Sequence, residues 1–228
     1  MEEIFTPNFK GPTLKQIMIF ELISWYGRNF RKRKSKIPII SPLLLDIGCG
    51  GNFTNGWLHI DFFHFPRVKF WKKRIHTRSA EIEMDLRYPI NSKDNICDGI
   101  YSGHTIEHLY PDEAYKLLCE LYRILKPGCF LRINFPDIEK YVNFYLGNAI
   151  SEEFHTFKTG CEAICTITQN YGHHSTWDKK LMFKALNSVG FVNIKEVIFG
   201  EEGTDKRLIK EEWVRKWESI VVEAQKPI

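Results

Sequence analysis

The segment Leu44-Leu45-Asp46-Ile47-Gly48-Cys49-Gly50-Gly51-Asn52 decides the fold of this 228-residue chain. A continuous apolar run leads directly into glycines, which is typical of a buried parallel strand that ends in a tight turn. Glycine allows positive φ and lets a ligand approach the backbone without meeting a Cβ atom. The segment therefore predicts the first strand of a sheet and a ligand-binding turn at its end.

This turn differs from a dinucleotide-binding turn. Such a site needs a third glycine where Phe53 stands, and an acid about 20 residues further on. Here Asp61 comes much sooner after Gly50 and ends a predicted second strand. An acid before the glycines also favours a ligand with an amino group over a pyrophosphate.

Strands and helices alternate along the rest of the chain. Short apolar segments predict six further strands, at 57–61, 81–85, 96–102, 129–135, 191–199 and 219–224. Helices are predicted at 111–125, directly after Pro136, and at 177–189, whereas 148–176 shows no clear pattern. This alternation predicts a parallel sheet covered by helices, in one domain at residues 41–228. Residues 1–40 form a separate segment, with a helix expected at 13–33.

The composition is that of a soluble globular protein, with 43% hydrophobic and 26% charged residues. It excludes a disordered chain, a collagen and a small disulfide scaffold. None of the six cysteines forms a Cys-x-x-Cys pair, so we expect reduced thiols. Acids and prolines within residues 1–12 argue against a secretory signal, and no apolar run is long enough to span a membrane, so a cytoplasmic protein is expected.

Basic residues are clustered, although the net charge is only +4. Twelve of the 32 lysines and arginines lie in two stretches without acids, 28–36 and 67–78. Aromatic residues accompany both stretches. Such stretches favour an anionic partner, which could be a membrane surface, a phosphorylated sugar carrier or single-stranded RNA.

From residue 42 to 226 the chain resembles the class I S-adenosylmethionine (SAM)-dependent methyltransferases. Six motifs carry the resemblance in the order of that family. They are Asp46-Ile47-Gly48-Cys49-Gly50, Asp61, Asp85-Leu86, Tyr101-Ser102-Gly103-His104 with Ile106-Glu107-His108-Leu109, Arg123-Ile124-Leu125-Lys126-Pro127-Gly128, and Gly190-Phe191. The resemblance implies a Rossmann-like, seven-stranded sheet with helices on both faces and an antiparallel last strand.

The resemblance also implies site residues for SAM and its product S-adenosylhomocysteine. Asp46 and the Gly48-Cys49-Gly50 turn correspond to the contacts of the methionine part, and Asp61 to the acid that binds the ribose hydroxyls. Asp85 and Leu86 correspond to the adenine contacts, and Ser102 lies in the motif that faces the methyl group. Simple strand-end or turn carboxylates are the alternative for the three acids.

The acceptor is predicted from a narrower resemblance. Gly56-Trp57, the stretch 100–109 and Pro136-Asp137 are similar to a bacterial subgroup that is often linked to sugar and polysaccharide pathways. We therefore expect O-methylation of a sugar or glycan hydroxyl. Ser102-Gly103-His104-Thr105 stands where base methyltransferases have Asn/Asp-Pro-Pro-aromatic, which makes a nucleic-acid base an unfavoured acceptor. Methylation of RNA, protein or a small natural product, and a non-catalytic SAM-fold module, remain alternatives.

His104 is the candidate general base, with His108 beside it, because histidine titrates near neutral pH. A structural histidine that bonds to the backbone is the alternative for each. Asp137, His173 and His174 are candidate substrate contacts, and Asp137 is equally suited to cap a helix. Two adjacent histidines are a weak metal signal, so no metal ligand is predicted, and metal dependence and oligomeric state are left undetermined.

The predicted helix at 13–33 has three interpretations. It could cover the SAM or substrate site as a lid, or lie on an anionic membrane surface with its aromatic residues at the headgroups. It could also pack as an ordinary extra helix.

Overall fold

A computed structural model of the protein describes residues 11–63, 80–148 and 150–228. The second basic stretch, 67–78, lies outside the described residues, and the first one lies at the end of the N-terminal helix. Within the described part of the chain, no helix combines the length and the apolarity needed to cross a lipid bilayer.

A seven-stranded sheet forms the centre of the fold, in the order β3-β2-β1-β4-β5-β7-β6. The strands are β1 Leu44–Ile47, β2 Leu58–Asp61, β3 Ile82–Glu83, β4 Gly99–Gly103, β5 Phe130–Pro136, β6 Val192–Val197 and β7 Ser219–Gln225. The pairs from β3 to β5 are parallel, and β7 is antiparallel to both of its neighbours. This topology confirms the Rossmann-like fold that the resemblance implied, with the last strand antiparallel.

Five α-helices are described: α1 Leu14–Phe30, α2 Pro111–Ile124, α3 Ile138–Tyr145, α4 Gly160–Gln169 and α5 Lys179–Val189. Helix α2 begins with Pro111 at its first position, and Glu113 accepts a hydrogen bond from the Tyr110 N–H. Asp178 caps α5, which ends at Gly190 in the left-handed region (φ 112°). Helix α4 lies inside 148–176, where no element was predicted.

The main core lies between the sheet and the helices α2 and α5. Leu117, Leu118 and Leu121 of α2 and Met182 and Leu186 of α5 are at most 2% exposed. A second, smaller hydrophobic cluster joins α3, residues 150–157 and α4, largely through aromatic side chains. The predicted amphipathic face of α2 is therefore the face that is buried.

Helix α1 is held by polar contacts to the chain that follows β3. The Ser24 hydroxyl donates to Asp85 (2.5 Å), and the Arg87 guanidinium bridges Asp85 and Glu21. Gly27 packs directly against the Phe63 ring. The opposite side of the helix exposes large apolar side chains: Leu14, Met18, Leu22, Trp25 and Phe30.

Candidate active site at the ends of β1, β2 and β4

The predicted site residues converge where the strand order reverses. Strands β2 and β4 flank β1, and Ile47 at the end of β1 pairs in register with Ile60 and Ser102. In parallel α/β sheets, ligands bind at this switch point, beyond the carboxyl ends of the strands. The glycine turn after β1, Asp61 at the end of β2 and His104 after β4 all lie at this edge.

The glycine turn has the backbone geometry that its sequence predicts. Gly48 and Gly50 adopt φ of 69° and 57°. A Cβ atom on Gly48 would overlap the Thr105 hydroxyl oxygen, whereas a Cβ on Gly50 would find no atom closer than 3.9 Å. Gly48 is thus needed for packing against the residue after His104, and Gly50 leaves open space above the turn.

Asp61 is tied to this turn by its carboxylate. Oδ2 accepts the Gly50 N–H (2.8 Å), Oδ1 accepts the Phe62 N–H (2.6 Å), and the Cys49 thiol lies 3.7 Å from Oδ2. Burial, together with the nearby carboxylates, raises the pKa of the Cys49 thiol to about 12. Cys49 is therefore a neutral thiol inside the turn, and Asp61 is the carboxylate that faces it.

Asp46 forms a buried ion pair with Lys210, which the sequence did not reveal. The Lys210 ammonium lies 2.8 Å from Asp46 Oδ2 and donates to the Asn52 carbonyl (3.1 Å). Burial raises the pKa of Asp46, and the neighbouring Lys210 opposes that rise. Lys210 belongs to the segment between β6 and β7, so only the folded chain brings its charge to the glycine turn.

A buried salt-bridge network fixes the segment that carries Lys210. Arg132 of β5 is fully buried and donates to Glu211 and to Glu223 of β7. On the other side of Lys210, Glu212 accepts a hydrogen bond from the Asn52 side chain (2.9 Å). The backbone around Lys210 is thus attached both to the sheet and to the glycine turn, which positions its ammonium group.

These residues fit SAM. The open space at Gly50 gives a ligand access to the backbone, and the Asp61 carboxylate retains lone pairs for hydroxyl donors, since a carboxylate can accept about four hydrogen bonds. The Lys210 ammonium adds a cation beside the turn, where the carboxylate of an amino-acid ligand would be stabilised.

Asp85 and its neighbours lie at the predicted adenine end of the site. The Asp85 carboxylate accepts from Ser24, from the Arg87 backbone and from the Arg87 guanidinium, so protein donors already occupy its lone pairs. A direct adenine contact would require one of these donors to leave, and its adenine role stays a prediction. Leu86 is half-buried against the core, and Ser102 is buried within β4.

His104 lies between β7 and a buried glutamate. Its Nε2 is 2.7 Å from the Ser219 hydroxyl, and its Nδ1 is 3.3 Å from Glu107 Oε1. Ser219 donates its only proton to the Arg215 carbonyl (2.7 Å), so Nε2 of His104 is the donor in their contact. In this arrangement both ring nitrogens face acceptors, and a proton-accepting role for His104 requires the ring to turn away from one of them.

Glu107, His108 and His173 form a cluster next to His104. Their ligand atoms lie within 4.8 Å of one another, and the two imidazole rings are 5.0 Å apart in an edge-to-face arrangement. Burial would raise the pKa of Glu107, but His104, with smaller contributions from His108 and His173, outweighs it and lowers the pKa. Glu107 is thus a buried carboxylate, whereas its place near a helix start favours an ordinary exposed acid over an orienting carboxylate; that expectation of exposure is wrong.

The remaining predicted substrate residues are separated by the structure. His174 points away from His173 and stacks on the Tyr110 ring, with centroids 4.4 Å apart. Asp137 caps α3 by accepting the Glu139 N–H (3.0 Å), which is the helix-capping role that its sequence position also suited. The loop of His173 and His174 meets Asp137 through the backbone, because Ile138 N–H donates to the Trp177 carbonyl.

Comparison with known proteins supports the class of the domain. Residues 45–133, which hold all of the predicted SAM residues, match a family described as a methyltransferase domain. No curated protein sequence matches the chain significantly.

Solved structures show the same fold at low identity. A SAM-dependent methyltransferase from Archaeoglobus fulgidus is 17% identical, with a TM-score of 0.50, over 91% of this chain and 94% of that one. Phosphoethanolamine N-methyltransferase 2 from Haemonchus contortus, in complex with SAM, is 18% identical over 95% of this chain and 58% of that one, with a TM-score of 0.46. An O-methyltransferase family protein from Burkholderia thailandensis is 11% identical over 92% and 58% (TM-score 0.48). At this identity the likeness to the Archaeoglobus fulgidus structure supports the fold and leaves the substrate open.

The matched methyltransferase domain bears out the predicted enzyme class, a SAM-dependent methyltransferase, and the solved structure from Archaeoglobus fulgidus bears out the fold. The acceptor and the individual residue roles are separate questions.

Proposed function

We propose that this enzyme transfers a methyl group from SAM to a hydroxyl group of a sugar or glycan. When bound, SAM supplies an electrophilic methyl group on a sulfonium. The glycine turn, Asp61 and Lys210 would hold it, and Leu86 would contact the adenine. Holding the acceptor oxygen in line with the methyl–sulfur bond would account for most of the rate.

One observation carries the acceptor class: hydrogen-bonding side chains cluster beyond the end of β4. His104, His108 and His173 are partly exposed there around the buried Glu107 carboxylate, and the Tyr110–His174 stack adds an exposed aromatic surface. Sugars need hydrogen-bonding groups that fix orientation together with apolar contact area. The same residues include His104, which we propose takes the proton of the acceptor hydroxyl after its ring leaves one of its present partners.

The test is methyl transfer from radiolabelled SAM to a panel of nucleotide sugars, lipid-linked glycans and oligosaccharides, with RNA and protein as rival acceptors. We expect label in a glycan, in a form that resists mild base because a methyl ether is not hydrolysed. Label that nuclease or protease releases, or that mild base removes as methanol, would contradict the proposal. Binding of SAM without transfer to any acceptor would favour the non-catalytic alternative.

We also propose that the enzyme works at an anionic membrane surface and docks there through α1. Its polar side is held by Asp85 and Arg87, while Leu14, Met18, Leu22 and Trp25 form an exposed apolar stripe. The basic stretch 28–36 continues from the end of this helix and would attract anionic headgroups.

Flotation with vesicles tests the membrane proposal. Binding to phosphatidylglycerol vesicles should exceed binding to phosphatidylcholine vesicles and should fall in the Leu22→Ser, Trp25→Ser double variant. Val214→Ser, which removes an apolar side chain that is more exposed than either of these but lies elsewhere, is the control and should float like wild type. Equal flotation of the double variant and wild type would leave α1 as a lid or a packing helix.

A further inference from the structure

We propose that Glu107, His108 and His173 bind a divalent first-row transition-metal ion, such as Zn²⁺, at the end of β4. Glu107 and His108 belong to the 3₁₀ turn Ile106–His108 that follows β4, and His173 comes from the loop between α4 and α5. Each of the three offers one ligand atom, and these atoms are close enough together to share an ion. The proposal concerns metal binding and does not depend on the acceptor proposed above.

The buried carboxylate of Glu107 is the first argument. Its side chain is only 3% exposed, and within the described residues neither of its oxygens accepts a hydrogen bond of good geometry. The His104 imidazole lies near Oε1, which leaves Oε2 without a donor. A buried carboxylate oxygen without a donor is costly, and such atoms are generally hydrogen-bonded or coordinate a metal, so Oε2 is the atom that an ion would satisfy.

The two imidazoles are oriented as ligating histidines usually are. His173 Nδ1 lies 2.7 Å from the Ile167 carbonyl oxygen, and His108 Nδ1 lies 3.3 Å from the Gly172 carbonyl oxygen. When Nδ1 donates to a carbonyl, the lone pair is on Nε2, and the ring orientation is fixed. The backbone therefore supplies the outer hydrogen bonds that orient a metal-binding histidine pair.

Backbone hydrogen bonds also hold the two halves of the site together. The N–H groups of His174 and Ser175 both donate to the Glu107 carbonyl, at 2.8 and 3.1 Å. Trp177 donates its indole N–H to the Ser175 hydroxyl and anchors the loop further. Two segments that are distant in the sequence thus preform the site. Because His174 points away from His173, only His173 of this adjacent pair is a ligand.

The donor set indicates which metal it would bind. Imidazole nitrogens favour zinc, iron, copper and nickel over magnesium and calcium, and two histidines with one carboxylate are a known set for catalytic zinc and for non-haem iron. Three protein ligands leave coordination positions for a water or for a substrate oxygen. His104, Thr105 and the glycine turn lie at the same edge of the sheet as these three residues. A metal ion bound here would therefore lie beside the proposed SAM site.

Titration of the chelator-treated, full-length protein with Co²⁺, monitored by visible absorption, tests the proposal, with Zn²⁺ as competitor. We expect one Co²⁺ per chain, displaced by Zn²⁺, and an affinity at least about 100-fold lower in both Glu107→Gln and His173→Asn, because each loses a direct ligand. The neighbouring His174→Asn variant is the matched control and should bind Co²⁺ like wild type, since His174 faces Tyr110.

Thermal unfolding separates loss of a ligand from loss of the fold. Zn²⁺ should raise the Tm of wild type and of His174→Asn, and should leave the Tm of a folded His173→Asn protein unchanged. If Glu107→Gln fails to fold, His173→Asn in the loop still decides the question. Wild-type protein without micromolar Co²⁺ or Zn²⁺ binding, or a His173→Asn variant that binds as tightly as wild type, would overturn the proposal.

Discussion

The ammonium group of Lys210 lies 2.8 Å from the carboxylate of Asp46, and both side chains are almost completely buried. The pair joins the acid of the glycine turn to a segment near the other end of the chain. Removing one partner of a buried pair leaves an uncompensated charge, which is far more costly than replacing both partners. The stability of the turn therefore depends on Lys210.

Lys210→Met, which keeps the bulk of the side chain, should lower the free energy of unfolding by about 3–5 kcal/mol, because it leaves Asp46 buried without its cation. Urea denaturation measures the effect. The double variant Asp46→Asn, Lys210→Met should recover most of the loss, since neither charge remains. A single variant as stable as wild type would show that the ion pair contributes nothing to the fold.

Gly48→Ala should be more harmful than Gly56→Ala. Both positions have positive φ (69° and 85°), so alanine costs about 1–2 kcal/mol at each. Only at Gly48 would the new Cβ also clash, with the Thr105 side chain, which adds about 1–3 kcal/mol and displaces the residue next to His104. Urea denaturation and SAM titration of the two variants make the comparison. Equal losses would mean that the turn does not pack against Thr105 as described.

His104→Asn tests the proposed base. Asparagine tolerates the positive φ of this position (48°), so the backbone should be preserved. The kcat should fall about 100-fold or more, with SAM affinity near that of wild type, because proton removal is lost and cofactor contacts are not. His155→Asn, an exposed histidine outside the cluster beyond β4, is the control. An unchanged kcat in His104→Asn would remove this residue from the mechanism.

The Asp98 carboxylate should make the free energy of unfolding depend on pH in the acid range. Burial alone would raise its pKa, but the Lys126 ammonium (2.6 Å) and the Leu43 N–H (2.8 Å) outweigh burial and lower it. A carboxyl whose pKa is lower in the folded state stabilises the protein above its unfolded pKa of about 3.9 and loses that effect as the pH falls through the folded value.

Asp98→Asn should therefore be less stable than wild type at neutral pH and should lose less free energy of unfolding between about pH 5 and pH 3. Asp112→Asn is the matched control: its pKa is also lowered by a lysine, Lys116, but the pair is fully exposed and is expected to add little. Denaturation across this pH range is the measurement. Parallel curves for wild type and Asp98→Asn would contradict the assignment.

The sheet was predictable because its signals are local. An apolar run that ends in glycines or an acid marked β1, β2 and β3, and Pro127-Gly128 marked the turn before β5. The same local signals placed Asp46, Gly48 and Asp61 at one edge, since parallel strands end together. Helix α4 was not predicted because residues 148–176 mix apolar, cysteine and polar residues without a clear hydrophobic period.

The long-range part of the site could not be predicted. Lys210 lies in a charged, irregular stretch, and it reaches Asp46 because Arg132 holds the neighbouring Glu211 and Asn52 holds the neighbouring Glu212. Glu107 has the pattern of an ordinary acid near a helix start, and its burial depends on the loop that carries His173. Such roles arise from contacts between distant segments, which one sequence does not reveal.

The most direct test of the account is calorimetric titration of the full-length protein with SAM, for wild type and for Asp61→Ala. Wild type should bind one SAM per chain, and the variant should bind at least about 10-fold more weakly, because it loses the carboxylate that orders the turn and that we propose accepts the ribose hydroxyls. Absence of SAM binding to wild type, or equal affinity in Asp61→Ala, would contradict the assignment of this edge of the sheet as the SAM site.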